Sequence, residues 1–397
     1  MTELFYPEET AVAFIFTRIA NYLSNSYKVC VICGPEFYDK NKTEFVDDVH
    51  LSESIEIYRT KSLRLDKNSL IQRTFKILFL SIRMGILMCK KISKDEIVIL
   101  ATSPAPLLIL VRLIKYHKNI QLHILVHDVF PENTIPATVF KNNKNFTYRV
   151  VKCLFDRAYS CADHLIVIGR DMKEIISTKV AHFKKHPSIS IVPNWSNPNK
   201  FNLIPNKVNK KNLLILQYAG NIGRVQGLIE ILEAFRLSNN KRLLLNFRGT
   251  GALYTYIENY VKKYNLENIF LRGSFSRNEE NGILANCDIG IVSLSNGMFG
   301  LGVPSKAYHL LSAGKPILFI GEPETEISKL VLENGIGWSL DIRNQNEIVE
   351  FFNNLSSIDS EILINMGKRA RFLAENEYSE LTILKLLQFK IESISND

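Results

Sequence analysis

The stretch Gly302-Val303-Pro304-Ser305-Lys306-Ala307-Tyr308-His309-Leu310-Leu311-Ser312-Ala313-Gly314-Lys315-Pro316, followed by Ile317-Leu318-Phe319-Ile320, decides the fold. It reads as a tight loop, one short helix, a glycine stop and a buried strand. Pro304 stands where helices begin. Ser305 is an N-cap type, expected to satisfy one of the N–H groups that a helix leaves open at its start. Open N–H groups, a hydroxyl and Lys306 together describe an anion site, and phosphate is its natural occupant. Gly314 falls where a left-handed residue ends a helix. The plainer alternative is an ordinary capped helix between two strands, so the rest of the chain must decide.

Outward from this stretch, short apolar runs alternate with amphipathic ones. Strands are expected at 28–33, 96–101, 121–126, 164–168 and 189–192, with helices at 10–24, 69–92, 104–117, 145–160 and 171–180 between them. That is the rhythm of a parallel sheet covered on both faces. Around residue 197 the texture turns polar and proline-broken, as linkers do. The rhythm then restarts, with strands at 213–219, 243–247, 268–272, 288–292, 316–320 and 336–340. The expected organisation is α/β: a Rossmann-like domain over 1–197, a linker over 198–210, a second Rossmann-like domain over 211–376, and a helix over 377–397 that crosses back to brace the first. A chain of 397 residues is long enough for two such cores.

The formal net charge of +9 points to anionic partners. A nucleotide phosphate and an acidic membrane surface both fit. Nucleic acid fits least, because no nucleic-acid-binding motif stands out. Six cysteines are scattered. Cys30 and Cys33 form a CxxC, but inside the apolar run Lys28-Val29-Cys30-Val31-Ile32-Cys33 they read as small hydrophobes of a strand. The pattern suits a reducing compartment. The N-terminal MTELFYPEETAVAF has neither a basic region nor an apolar core, so it does not read as a signal peptide. Residues 70–92 are apolar yet carry Arg73, Lys76, Arg83, Lys90 and Lys91. A spanning helix needs about twenty mostly apolar residues, so this is a poor span. A packing helix and a basic amphipathic helix on an anionic membrane face stand about level, and Arg112, Lys115, Lys118, Lys141 and Lys144 tilt the balance toward the membrane.

Four features of the second half converge on phosphate. The strand ending at Ala219 runs into Gly220-Asn221-Ile222-Gly223-Arg224-Val225-Gln226-Gly227 and then a helix. Glycines let backbone approach oxygens there, and Arg224 can make a bidentate contact. A second strand ends in Arg248-Gly249-Thr250-Gly251. The third feature is the Pro304-Ser305-Lys306 start, and the fourth is Thr325-Glu326-Ile327, a helix start after a strand. All four fall at carboxyl ends of one parallel sheet, where such sheets bind ligands.

Taken together these segments resemble a GT-B glycosyltransferase of the retaining family 4, of the type found in bacterial capsule, O-antigen and exopolysaccharide assembly. The resemblance covers nearly the whole chain. Its carriers are Tyr6-Pro7-Glu8-Glu9-Thr10, the run Val126-His127-Asp128-Val129-Phe130-Pro131-Glu132, Val192-Pro193-Asn194-Trp195, and the segments 218–227, 248–251 and 302–316. It implies two Rossmann-like domains around a cleft, with a nucleotide-sugar donor on the second and a glycan acceptor on the first. It implies no metal and no cofactor, and Asp47-Asp48 is a plain acidic pair. His127 matches a position beside the transferred sugar, with Asp128 orienting it or starting a turn. Lys306, Arg224 and Arg248 are expected on the diphosphate, and Thr10 near it. Gly220, Asn221, Gly223, Gly249, Gly251, Pro304, Ser305, Tyr308, His309 and Glu326 complete the expected donor contacts. Many family members carry two glutamates eight residues apart where this chain has Leu301 and His309, so the usual ribose carboxylate is missing. The acceptor expected is a lipid-linked, polyprenyl-diphosphate type or an oligosaccharide, and the protein is expected on the cytoplasmic face of the membrane as a peripheral protein. A non-catalytic nucleotide-sugar-binding partner and a GT-B epimerase are the competing readings. The epimerase lacks a convincing carboxylate pair, and a dehydrogenase lacks a first-strand Gly-x-Gly-x-x-Gly.

Overall fold

Unbroken runs of Ile, Val and Leu make strands that are buried on both faces, and such strands assemble in parallel. In the computed structural model, which describes residues 1–8, 10–36, 51–63, 70–201 and 213–395, they do so twice. Glu9, Asp47-Asp48 and residues 202–210 of the expected linker lie outside the described residues. In the first half, β1 (Cys30–Cys33) pairs with β2 (Glu56–Arg59), a strand the sequence pattern did not disclose. A four-stranded sheet follows in the order β3 (Ile97–Ala101), β4 (Gln121–Val126), β5 (His164–Val167), β6 (Ser188–Ile191). The first three residues run between the two sheets. Thr2 N–H donates to Ile32 at 3.2 Å, Ala101 N–H donates to Met1 at 2.9 Å, and Glu3 N–H donates to Ser103 at 2.9 Å. The first half is therefore one continuous hydrogen-bonded surface.

The second half holds six parallel strands. They are β7 (Leu214–Ala219), β8 (Leu243–Arg248), β9 (Ile269–Arg272), β10 (Ile289–Ser293), β11 (Ile317–Gly321) and β12 (Gly337–Asp341), in the spatial order β12-β11-β10-β7-β8-β9. The order reverses between β7 and β10, which opens a crevice at their carboxyl ends. Every residue of β10 and β11 is buried, as their composition requires.

Helices cover both sheets. In the first half these are α1 (Ala11–Leu23), α2 (Leu70–Lys91), α3 (Pro106–Lys118), α4 (Phe146–Ser160) and α5 (Arg170–Val180). In the second they are α6 (Leu228–Leu237), α7 (Tyr254–Lys263), α8 (Arg277–Ala285), α9 (Lys306–Ser312), α10 (Glu326–Glu333), α11 (Gln345–Asn354) and α12 (Ser360–Asn376). The last helix, α13 (Glu380–Ser395), packs against α1. Its Ile383, Leu384, Leu387 and Ile391 share a core with Phe16 of α1, Val31 of β1, Leu125 of β4 and Ile166 of β5. Their spacing follows one helical face.

Helix α2 is two-sided. Leu80, Met84 and Met88 are buried, whereas Phe75, Leu78, Ile82 and Ile86 are exposed. Neighbouring α3 exposes Leu113 and Tyr116, the latter 88%, and α4 exposes Phe146 at 78% and Val150. Among the described residues no helix is long and apolar enough to cross a membrane.

Leu387 is 1% exposed in the α1–α13 core, whereas Leu381 on the same helix points to solvent. Leu387→Ala should destabilise the protein by about 2–5 kcal/mol in a denaturant titration. Leu381→Ala should stay within about 0.5 kcal/mol of the parent. Equal effects would mean that α13 is not seated on that core.

Candidate functional site

The turn after β7 and the turn after β8 support each other. Gly220 N–H donates to Arg248 at 2.9 Å, and Ile222 N–H donates to Thr250 at 2.9 Å. Gly249 has φ +130, and a Cβ there would lie 1.9 Å from the Gly220 carbonyl oxygen, so no side chain fits. Gly251 likewise backs onto Ile222. Gly249 and Gly251 thus shape the Gly220 turn from behind. Arg248, in register between Ala219 and Arg272, adds its charge to the Ser276 N–H in holding the Glu279 carboxyl below its usual range.

Lys306 faces that turn. Its Nζ donates to Tyr218 Oη at 2.6 Å and lies 3.9 Å from the centre of the Tyr218 ring. The Tyr218 hydroxyl in turn donates to the Asn221 carbonyl at 2.7 Å. A Cβ on Gly220 would sit 3.2 Å from the same Nζ. No carboxylate pairs with this ammonium among the described residues. Loss of water therefore pushes its pKa down to about 7, and a cation in that position favours an anion beside the Gly220 turn.

Ser305 does not cap α9 as its type suggested. Its backbone is already helical, and its side chain makes no capping bond. The helix is only seven residues long, so Lys306, not a helix end, supplies the positive charge. Pro304 precedes it, with its carbonyl accepting from Ala307 N–H at 3.3 Å, and Gly314, at φ +62, ends the segment. Tyr308 is not open to a ligand. It is buried and packs on Tyr378, with ring centres 5.4 Å apart. His309 Nδ1 is 2.6 Å from Glu280 Oε1 of α8. The structure thus places a carboxylate beside His309, where the resemblance leads one to expect a glutamate. It comes from a helix 29 residues earlier, and no local spacing could have disclosed it.

The two domains meet at their strand ends. Asp128 forms an antiparallel bridge with Gly302, and Val129 N–H donates to Leu301 at 3.1 Å. Glu322, just past β11, holds this loop by accepting from Gly297 and Phe299 N–H at 2.8 and 3.1 Å. His127, immediately before the bridge, faces α1, with its ring centre 5.8 Å from that of Phe16. Enclosure pushes its pKa down to about 4, with the Leu125 carbonyl opposing, so the imidazole is neutral at pH 7. Asp128 keeps solvent contact inside the cleft, yet its enclosed position pushes its carboxyl up to about 6. No hydrogen bond joins the side chains of His127 and Asp128, so Asp128 serves the domain contact through its backbone and does not orient the ring.

Other expected contacts are engaged elsewhere. Thr10 caps α1, accepting from Ala13 N–H at 3.3 Å. Glu326 is taken by the first domain. It accepts from Arg170 Nε at 3.0 Å and Nη2 at 3.2 Å, while Asp171 accepts from its N–H at 3.1 Å. This latch is extended by Arg170 and Glu333 at 2.8 Å. Arg224 is exposed and reaches across to Thr138 Oγ1 at 3.2 Å. Asn221 is exposed, while Gly223 is buried where a Cβ would lie 2.7 Å from Asn221 Nδ2. Glu132, from the run around His127, is tied to Lys152 and Lys179 at 2.8 Å each and so fixes the loop after β4. Among the described residues no cluster of three or more His, Cys, Asp or Glu side chains could hold a metal.

Since the Lys306 pKa is pushed down to about 7, pyrophosphate binding at pH 8 should take up close to one proton more in the parent than in Lys306→Met. The excess should vanish below about pH 6, where Lys306 is already charged. Calorimetry in buffers of different ionisation enthalpy measures it, and equal uptake in both proteins would remove Lys306 from the anion site.

No family model matches the chain. Among curated proteins it is 34% identical over 346 residues to the probable glycosyltransferase WbjE of Pseudomonas aeruginosa, covering 84% of each chain. Its fold is similar to that of WaaG, a glycosyltransferase involved in lipopolysaccharide biosynthesis, with TM-score 0.66 and 14% identity over 100% of this chain and 98% of that one. It is similar to sucrose-phosphate synthase from Thermosynechococcus elongatus, with TM-score 0.72 and 14% identity over 100% and 96%. It is also similar to HepE of Anabaena, solved with UDP and glucose, with TM-score 0.68 and 12% identity over 99% and 100%. With two parallel-sheet domains meeting at their strand ends and a curated relative of this identity and coverage, the chain belongs to the glycosyltransferases, in the two-domain GT-B fold.

Proposed function

We propose that this glycosyltransferase is a retaining enzyme of the family 4 type. In this reading it moves a hexosyl or N-acetylhexosaminyl group from a nucleotide sugar to a polyprenyl-diphosphate-linked glycan in bacterial surface-polysaccharide assembly, without a metal. The observation that carries it is Lys306, a desolvated cation with no carboxylate partner beside the Gly220 turn. When the bond from the anomeric carbon to the diphosphate breaks, negative charge grows on the leaving oxygen. A fixed cation in an enclosed site stabilises that charge. The new bond forms to an acceptor hydroxyl oxygen, whose proton passes to the departing diphosphate. Arg224 and Arg248 add charge at the rim, and neutral His127 hydrogen-bonds the transferred sugar. Neutrality suits that place, since positive charge develops at the anomeric carbon. Glu280, held by His309, takes the ribose hydroxyls that the absent family glutamate would otherwise meet. UDP in the HepE structure supports a nucleotide-sugar donor.

The outer face of α2, α3 and α4 supports a peripheral position on the cytoplasmic leaflet. Exposed Phe75, Ile82, Ile86, Leu113, Tyr116 and Phe146 stand among Arg83, Lys90 and Arg112. Apolar surface gathered in this way on one face, rimmed by bases, suits an anionic bilayer surface.

Mass-spectrometric turnover of a nucleotide-sugar panel with short polyprenyl-diphosphate sugars tests the reading. A glycosylated product that depends on one donor is expected, with the anomeric configuration retained. Binding of a nucleoside diphosphate without product from any acceptor would instead favour a non-catalytic partner, for which Leu301 and His309 at the glutamate positions already argue. In the active protein, His127→Ala should lower turnover about 100-fold or more while nucleoside-diphosphate affinity stays within about threefold. Glu280→Gln should weaken nucleoside diphosphate about tenfold, or about 1.4 kcal/mol, and leave pyrophosphate unchanged. Equal losses for both ligands would take Glu280 off the ribose.

A further inference from the structure

We propose that the groove between α2 and α3 seats one acyl chain of an anionic diacyl membrane lipid of the phosphatidylglycerol type, with the lipid phosphate on Lys90 and Lys118. The proposal rests on the membrane-facing reading of this surface and goes beyond it by naming a lipid and its seat. The groove encloses about 460 Å³, within the usual range of ligand pockets. Its walls are Ile82, Ile86, Leu110, Leu113 and Ile114, with Gly85 on the floor. Its polar lining is Lys90, His117 and Lys118 at one end, beside Cys89, with no carboxylate. Lys90 and Lys118 make no ion pair among the described residues. Apolar walls that end in unpaired cations match a chain that ends in a phosphate.

Gly85 sharpens the argument. A glycine inside a helix costs about 0.5–1 kcal/mol relative to alanine. Nothing local requires it. Its φ lies outside the left-handed region, and a Cβ would meet Leu110 Cδ1 at an ordinary 3.6 Å. With only a hydrogen there, the floor of the groove is α2 backbone set against Leu107 and Leu110 of α3. Position selects the occupant. Lys90 and Lys118 precede the starts of β3 and β4, whereas His127 follows the end of β4. The groove's charged end therefore lies at the opposite edge of the sheet from the reaction site, where an acceptor diphosphate does not belong but a bilayer headgroup does.

Vesicles of phosphatidylcholine and phosphatidylglycerol, the latter carrying a photoactivatable diazirine in one acyl chain, provide the test. In the parent, label should concentrate on residues 82–90 and 110–118. Gly85→Leu places a better helix former there and fills the groove. It should cut that label tenfold or more while vesicle cosedimentation stays within twofold. Lys90→Gln with Lys118→Gln should abolish the preference for phosphatidylglycerol over phosphatidylcholine in groove labelling. Label indifferent to Gly85→Leu, or displaced by a polyprenyl phosphate, would overturn the proposal and leave the membrane reading standing. Failure of the parent to cosediment would overturn the membrane reading itself. The groove is then judged by titration with dihexanoyl-phosphatidylglycerol below its micelle concentration. Saturable binding lost in Gly85→Leu upholds the seat, and no binding ends it.

Discussion

A half-buried ammonium that has lost much of its water and has no carboxylate partner among the described residues is costly to keep, and the strand-end turns of the second domain are arranged around one. Lys306 gives up water, gains the Tyr218 hydroxyl and ring, and titrates far below a free lysine. Structures retain such groups where a transient negative charge must be met. The surroundings follow from that need. The Gly220 turn lacks a side chain that would crowd the ammonium, and the Gly249 turn presses on it from behind. Tyr218 is itself pinned to the Asn221 carbonyl. The cation is thus held in place before any substrate arrives, which is the condition under which electrostatic stabilisation is most effective.

The second organising contact is the strand-like bridge between Asp128 and Gly302. It brings the residue after His127 to the loop that leads into Lys306, so one backbone pairing couples the strand ends of both domains. Arg170 with Glu326 and Arg224 with Thr138 join the domains on either side of it. These outer contacts are charged or exposed, and single exposed pairs contribute little stability. Beneath them the seam is apolar, since Met172 and Ile176 of α5 share one buried core with Leu301, Val303 and Ile327 of the second domain, so packing as well as the bridge holds the two domains together.

Much of the fold was legible because buried parallel strands and amphipathic helices leave strong periodic marks. β2 was missed because Glu56-Ile57-Tyr58-Arg59 is short, lies at a sheet edge and is only partly buried. The opening residues were missed because three residues carry no period, and their pairing is made with partners about thirty and about a hundred positions away. At the site, Lys306 and the glycine turns could be read because strand, turn and helix are local patterns. Glu280 could not, since its partnership with His309 is made by packing between α8 and α9. Residue type misled at Ser305, Thr10 and Glu326. The first is a good cap that caps nothing, the second is spent on its own helix, and the third is claimed by Arg170 from the other domain.

The crossing helix α13 carries a consequence for how the chain acquires its structure. One face of the first sheet, with Leu125, Ile166 and Val192, is covered by α1 together with the last helix of the chain. During synthesis from the N-terminus, α13 is made only after the whole second sheet. The first half must therefore wait, with part of its apolar face open, until the second half has been built and has turned back. The two domains are separate in their sheets yet joined in their maturation, and a cut between them would leave neither a finished first domain nor a free-standing tail.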